Sequence, residues 1–306
     1  MMKLVTQKEE QLCETATVYG RSEYVGVHAL ASAANSMAAA GAVCLGAGVR
    51  ISYPPHSDKS VIYQMEKKLK KTCKERDIPL VESKLSANPL INVPSVAVTV
   101  LGSRPVCGET QKPSGEAAAR AKHIASGKAI VQVKWIGADG MLQIASAREE
   151  ELRKRFAPAF LRRVMSHRQA LFADKEIDAA KAMGVSVMRQ ITEGGIFAAL
   201  WELAKECGSG LVADMKEILI LQETIEVCEY FRMNPYQMTS AGSFLMLADD
   251  GEALADALRR EGTAAAVIGH LTKDNDKIIR NGEDVRYLDR PAPDEIYKLF
   301  EKETAV

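Results

Sequence analysis

The chain has no surplus of charge of either sign, no long apolar run and no closely spaced cysteines. Forty basic residues balance forty acidic ones over 306 positions, so net charge draws it to no nucleic acid and no acidic membrane surface. No apolar stretch reaches the ~18 residues of a membrane-spanning helix. The opening Met1-Met-Lys-Leu-Val-Thr-Gln-Lys-Glu-Glu10 lacks the apolar centre of a signal peptide. Six cysteines, at 13, 44, 73, 107, 207 and 228, include no Cys-x-x-Cys pair. That spacing argues against a zinc site and against a disulfide framework, and a reducing cytoplasm is the expected compartment. The first 24 residues also hold no aspartate. What remains is ordinary: 47% apolar and 26% charged residues, enough for one or two domains that each bury a core.

Strand and helix patterns alternate along the chain, which predicts an α/β (α+β) protein. Residues 6–17 are polar and predict a helix. Val25–Ala40 is rich in alanine and serine, as suits a helix pressed closely on a sheet. Val43–Ser52 reads as a buried strand that Tyr53-Pro-Pro55 ends. Asp58 is placed to cap a helix whose apolar stripe is Ile62, Met65, Leu69 and Cys73. Its opposite face carries Lys67, Lys68, Lys70, Lys71 and Lys74, the pattern of a solvated surface. Strands follow at Ile78–Val81 and Ser95–Gly102. Composition then breaks, with Pro105, Gly108, Pro113, Gly115 and Gly127 punctuating a polar stretch. The expected domains are 1–104 and 128–306, joined through 105–127. In the second, a strand at Ala129–Lys134 leads into Trp135-Ile-Gly-Ala-Asp-Gly140 and helices through 149–184. Strands at Ser243–Ala248 and Ala264–Ile268 flank a helix at Glu252–Arg260, and Asn281-Gly282 marks a hairpin.

The stretch with most chemical promise runs Met188-Arg189-Gln190-Ile191-Thr192-Glu193-Gly194-Gly195 and on to Gly208. Thr192 can cap a helix, and Gly194 and Gly195 open it with bare backbone. Ile196, Leu200, Leu203 and Ala204 recur at helical spacing. Such a start is suited to a phosphate or other anion. Equally, the glycines can serve only to let the helix pack closely on a neighbour.

Thr192-Glu193-Gly194-Gly195, followed by Ala-Leu-Trp-Glu-Leu-Ala and Gly208-Ser-Gly210, resembles the C-terminal domain of the PurM-like superfamily. That superfamily includes aminoimidazole ribonucleotide (AIR) synthetase, the hydrogenase-maturation protein HypE, selenophosphate synthetase and thiamine-monophosphate kinase. The likeness is to its AIR-synthase-related, HypE-like branch, and it runs from about Val25 onward. It implies two domains, each a mixed β-sheet packed with helices, with Mg-ATP and a phosphoryl-transfer enzyme of ligase or kinase type. It also implies a homodimer formed through the N-terminal domains, or a heterodimer with an intact paralogue.

This sequence departs from the superfamily's pattern where charge matters. The Gly-Asp-Asp segment expected before the first long helix is missing. The Asn-Asp pair of that helix reads Asn35-Ser36, and serine brings no charge to offset a magnesium ion. A Gly-Gly-His-Thr turn is replaced by Glu82-Ser83-Lys84-Leu85, and a His-Asp pair before the threonine by Arg189-Gln190. Gln190 can form hydrogen bonds but cannot act as an anionic ligand. Candidate ligand-binding residues are therefore Asn35, Gly137, Asp139, Gly140, Arg189, Thr192, Glu193, Gly194 and Gly195, with no catalytic residue and no metal ligand assigned. For Asn35 and Asp139 the structural alternatives, a helix seam and a helix cap, stay open. The function expected is that of a catalytically degenerate paralogue acting by ligand or protein binding. The alternative is an ATP- or phosphate-dependent enzyme with an altered site.

Overall fold

A computed structural model describes residues 2–5, 9–105 and 126–301, and in it the chain builds two separate sheets. Its residues group into two compact units. The first comprises Met1–Cys107, Asp139–Phe172 and Ile296–Val306; the second comprises Gly108–Ala138 and Ala173–Glu295. Residues 106–125, most of the expected connection, lie outside the described part. The grouping is not the single division that composition draws at 105–127. Leu142 and Leu171 are buried with Val27 and Ala31, which assigns the helical segment after Asp139 to the first sheet's unit.

The first unit holds five strands, β1 (Met2–Val5), β2 (Glu9–Tyr19), β3 (Val43–Tyr53), β4 (Leu80–Ala87) and β5 (Ser95–Pro105), in the order β1-β2-β5-β3-β4. All neighbours are antiparallel except β3 and β4. Helices α1 (Val25–Ala39) and α2 (Lys59–Glu75) cover one face. The stripe read from sequence buries as spaced: Ile62, Met65, Leu69 and Cys73 are the buried residues of α2, and the Asp58 carboxylate accepts from Ser60 N at its start. Gly26 of α1 lies so close to Leu69 that an added Cβ would sit 3.2 Å from it.

Two local readings are corrected. Residues 9–17 are strand, not helix, because β2 pairs with β5 over its whole length, from Glu9↔Pro105 to Tyr19↔Ser95. The strand read at Ile78–Val81 runs instead over Leu80–Ala87, so that Glu82-Ser83-Lys84-Leu85, which replaces the superfamily's turn, lies within β4 in register with Gly48 to Ile51 of β3. As β4 pairs on one side only, its charged residues are tolerated at the sheet's edge. The first unit is completed by α3 (Ala138–Ala147), α4 (Glu149–Arg155) and α5 (Pro158–Ser166).

The second unit holds the seven-stranded sheet, β12-β11-β8-β10-β6-β9-β7. Its strands are β6 (Ala129–Val133), β7 (Val187–Gln190), β8 (Gly210–Asp214), β9 (Phe244–Ala248), β10 (Ala265–Thr272), β11 (Lys277–Asn281) and β12 (Asp284–Tyr287). Its helices are α6 (Asp174–Ala182), α7 (Gly195–Cys207), α8 (Gln222–Phe231) and α9 (Gly251–Arg260). Its core joins Ile130, Leu211, Leu245, Ile268 and Ile279 from the strands to Ile196, Leu200 and Leu203 of α7. The hairpin expected at Asn281-Gly282 joins β11 to β12. No described helix is long and apolar enough to cross a membrane.

Candidate functional site

The candidate residues fall into two groups, one in each unit. In the first, α1 carries His28 and Asn35 on one face, seven positions and so two turns apart. Asn35 is buried, and its Nδ2 donates to Leu171 O at 2.7 Å. Asp139, in the first turn of α3, is also buried. Its Oδ1 lies 2.5 Å from His28 Nδ1, and its Oδ2 accepts from Gln143 Nε2 at 3.0 Å. His28 Nε2 is buried without a hydrogen-bond partner among the described residues. Gly140 is buried beside this pair in the same helix.

In the second unit, Gly137 sits at φ +65° with no room for a side chain, since a Cβ would come 2.8 Å from Thr224 Cγ2. Its N–H donates to Ser240 Oγ at 2.6 Å. Arg189 on β7 pairs with Glu206 of α7 at 2.5 Å. Gln190 is buried, and its Oε1 accepts from Gly242 N at 3.0 Å. Both side chains that replace the expected His-Asp pair thus have partners within the chain.

The start of α7 differs from the reading in one respect. Gly194, not Thr192, is the N-cap residue, left-handed at φ +80°, and no side chain from that position caps the helix. Thr192 contributes its backbone carbonyl, which accepts from Gly195 N at 3.0 Å. Glu193 is exposed. The Gly194 N–H donates to Asp294 Oδ2 at 2.8 Å, and Asp294 is buried. The position suited to a ligand anion therefore holds a carboxylate of the chain itself. The next residue, Glu295, accepts from Asn234 N at 3.0 Å. Gly195 answers to close packing, because a Cβ there would lie 2.5 Å from Tyr236 O and 2.6 Å from Met238 N.

His28, Asp294 and Glu295 are the contributors that the sequence reading missed. His28 shares a helix face with Asn35, which was a usable signal; Asp294 lies 100 residues from its partner and gave none. Among the described residues, no three His, Cys, Asp or Glu side chains come together to hold a metal ion. Burial pushes the Cys73 thiol up to about 11, with Cys44 adding to it, and the Cys228 thiol up to about 12, with Glu295 adding. Both stay protonated at neutral pH, so neither supplies a thiolate.

Residues 125–281 match the family described as AIR synthase related protein, C-terminal domain. The chain belongs to that family. Its fold is PurM-like, with mixed sheets packed by helices. A carbamoyl dehydratase HypE of Rhodobacter capsulatus is 29% identical over 100 residues, 31% of this chain and 29% of that protein. The match thus spans less than a third of that relative's length. A Methanocaldococcus jannaschii protein named for hydrogenase expression and formation is 22% identical over 265 residues, 83% of this chain and 72% of that one. A chain in a crystal structure of a HypE–HypF complex aligns with a TM-score of 0.67 at 17% identity, covering 94% of this chain and 92% of that one.

Proposed function

We propose that this HypE-like, AIR-synthase-related protein does not turn over ATP and acts by binding a small ligand or another protein. One observation carries the reading: the side chains of Asn35, Asp139 and Arg189 and the Gly194 N–H are already engaged within the chain. Asn35 is tied to Leu171, Asp139 to His28 and Gln143, Arg189 to Glu206, and the Gly194 N–H to Asp294. A magnesium-bound triphosphate needs hard, anionic oxygen ligands free to meet the ion and fixed donors free to meet the phosphates. These residues do not fit it. Protein binding draws support from the HypE–HypF complex among the similar folds. A homodimer draws support from the exposed apolar residues of the first sheet, Val43, Leu45, Val81 and Leu101. The described cysteines are free thiols, in keeping with a cytoplasmic protein.

The test is ATP hydrolysis by the purified protein with excess magnesium, followed by thermal melting with nucleotide. We expect no turnover above a protein-free blank and no shift in melting temperature. A bound nucleotide at 100 times its Kd would add about 2.7 kcal/mol of stability, which melting detects readily. Steady hydrolysis that Asn35→Ala abolishes would overturn the proposal.

A further inference from the structure

Beside the head of α7 in the second unit lies a cleft of about 120 Å³ whose lining includes Phe197, Gln237, Arg286, Asp289 and Arg290. One wall is the segment that follows β12, and it is pinned at both ends. Leu288 is buried and donates its N–H to Lys277 O at 2.7 Å. At the other end Asp294 and Glu295 are fixed on Gly194 N and Asn234 N. Between the anchors, Pro291 and Pro293 restrict the backbone. The wall's two buried carboxylates are thereby consumed inside it.

Half of the cleft's lining is apolar, and among its polar side chains the donors Asn234, Gln237, Arg286, Tyr287 and Arg290 outnumber the one carboxylate. The Arg286 guanidinium lies over the Phe197 ring, 5.9 Å from its centroid, and Phe197 in turn stacks on Tyr236 at 5.5 Å. Neither Arg286 nor Arg290 forms an ion pair with a carboxylate among the described residues. Asn234 Nδ2 donates to Gln237 Oε1 at 3.2 Å, which leaves the Gln237 Nε2 hydrogens unused by that bond. Asp289 is the one acidic residue of the lining. The Gly194 N–H takes no part, because it is committed to Asp294.

The geometry points to a binding site in this cleft for the phosphate or carboxylate group of a small molecule, held by the guanidinium forks of Arg286 and Arg290. Forked donors recognise planar and tetrahedral oxyanions in pairs of hydrogen bonds, and Arg286 is steadied by the Phe197 ring and by its Nη2 contact to Met215 Sδ at 3.7 Å. The volume of about 120 Å³ has room for an oxyanion group. The inference deepens the ligand-binding half of the proposed function and is independent of whether nucleotide is turned over.

Calorimetric titration with inorganic phosphate, and separately with acetate, tests it on the full chain at low chloride. Both arginines are exposed, so Arg286→Ala, Arg290→Ala and the double variant should fold, as melting curves will check. We expect saturable binding of at least one anion, weakened about tenfold by each substitution. Tighter binding of phosphate than of acetate would assign a phosphate ligand, and the reverse a carboxylate. Binding of neither anion, or equal binding by the double variant, would overturn the site.

Discussion

At the scale of single residues, the informative contact is His28 with Asp139, two side chains 1% and 2% exposed that meet at 2.5 Å. Taking an ionised carboxylate out of water is costly unless a partner answers it, and removing one partner leaves the other buried and uncompensated. We therefore expect His28→Leu and Asp139→Leu each to destabilise the protein by about 3–5 kcal/mol. The double replacement puts apolar groups on both sides and should cost less than either single change. Urea unfolding of the four proteins decides the matter; strictly additive costs would mean that the two side chains are not coupled. The sequence left Asp139 open between ligand and structural roles because its partner lies 111 positions away. Spacing within one segment reports which residues share a face, and it is silent on what that face meets.

At the scale of elements, what was legible followed local periodicity, and what was not depended on distant pairing. The α2 stripe repeats every three to four residues and needs no knowledge of the sheet beneath it. In contrast, β2 reads Glu-Glu-Gln-Leu-Cys-Glu-Thr-Ala-Thr-Val-Tyr, a composition that suits a helix as readily as a strand. Its conformation is set by β5, some ninety residues on. The start of α7 shows both cases. The glycines were recognised, yet their use is split: Gly194 supplies the left-handed cap, and Gly195 admits the Tyr236–Met238 backbone. Gly195→Ala should therefore cost about 2–4 kcal/mol, since it adds both a strained φ of +68° and a clash with rigid backbone. Gly208→Ala, at φ +59° with open space around it, should cost only about 1–2 kcal/mol. Comparable urea midpoints for the two variants would refute the role given to close approach at Gly195.

At the scale of the whole molecule, the unresolved demand is the face of the first sheet that no helix covers among the described residues. Along β5, Val96, Val98 and Val100 are buried beneath the helices, while Ser95, Ala97, Thr99 and Leu101 point the other way. Leu101 stands in register with Gly46 of β3, and the Val81 side chain lies close against that same glycine. With Val43 70% exposed, Leu45 53%, Val81 69% and Leu101 43%, the face carries an apolar patch at one end, and Arg50, Glu82 and Lys84 stand further along it. Patches of this kind mark association surfaces, and a second copy of the chain offers the same face for a symmetric contact. We expect light scattering at micromolar concentration to return twice the 33.3 kDa chain mass. Leu101→Glu should convert that species to monomer, because a charge buried between apolar faces has no partner there. Since Leu101 is partly exposed in the single chain, the substitution should leave the fold's own melting little changed. A wild-type protein that runs as a monomer, or a dimer indifferent to Leu101→Glu, would remove the first sheet's face from consideration as the association surface.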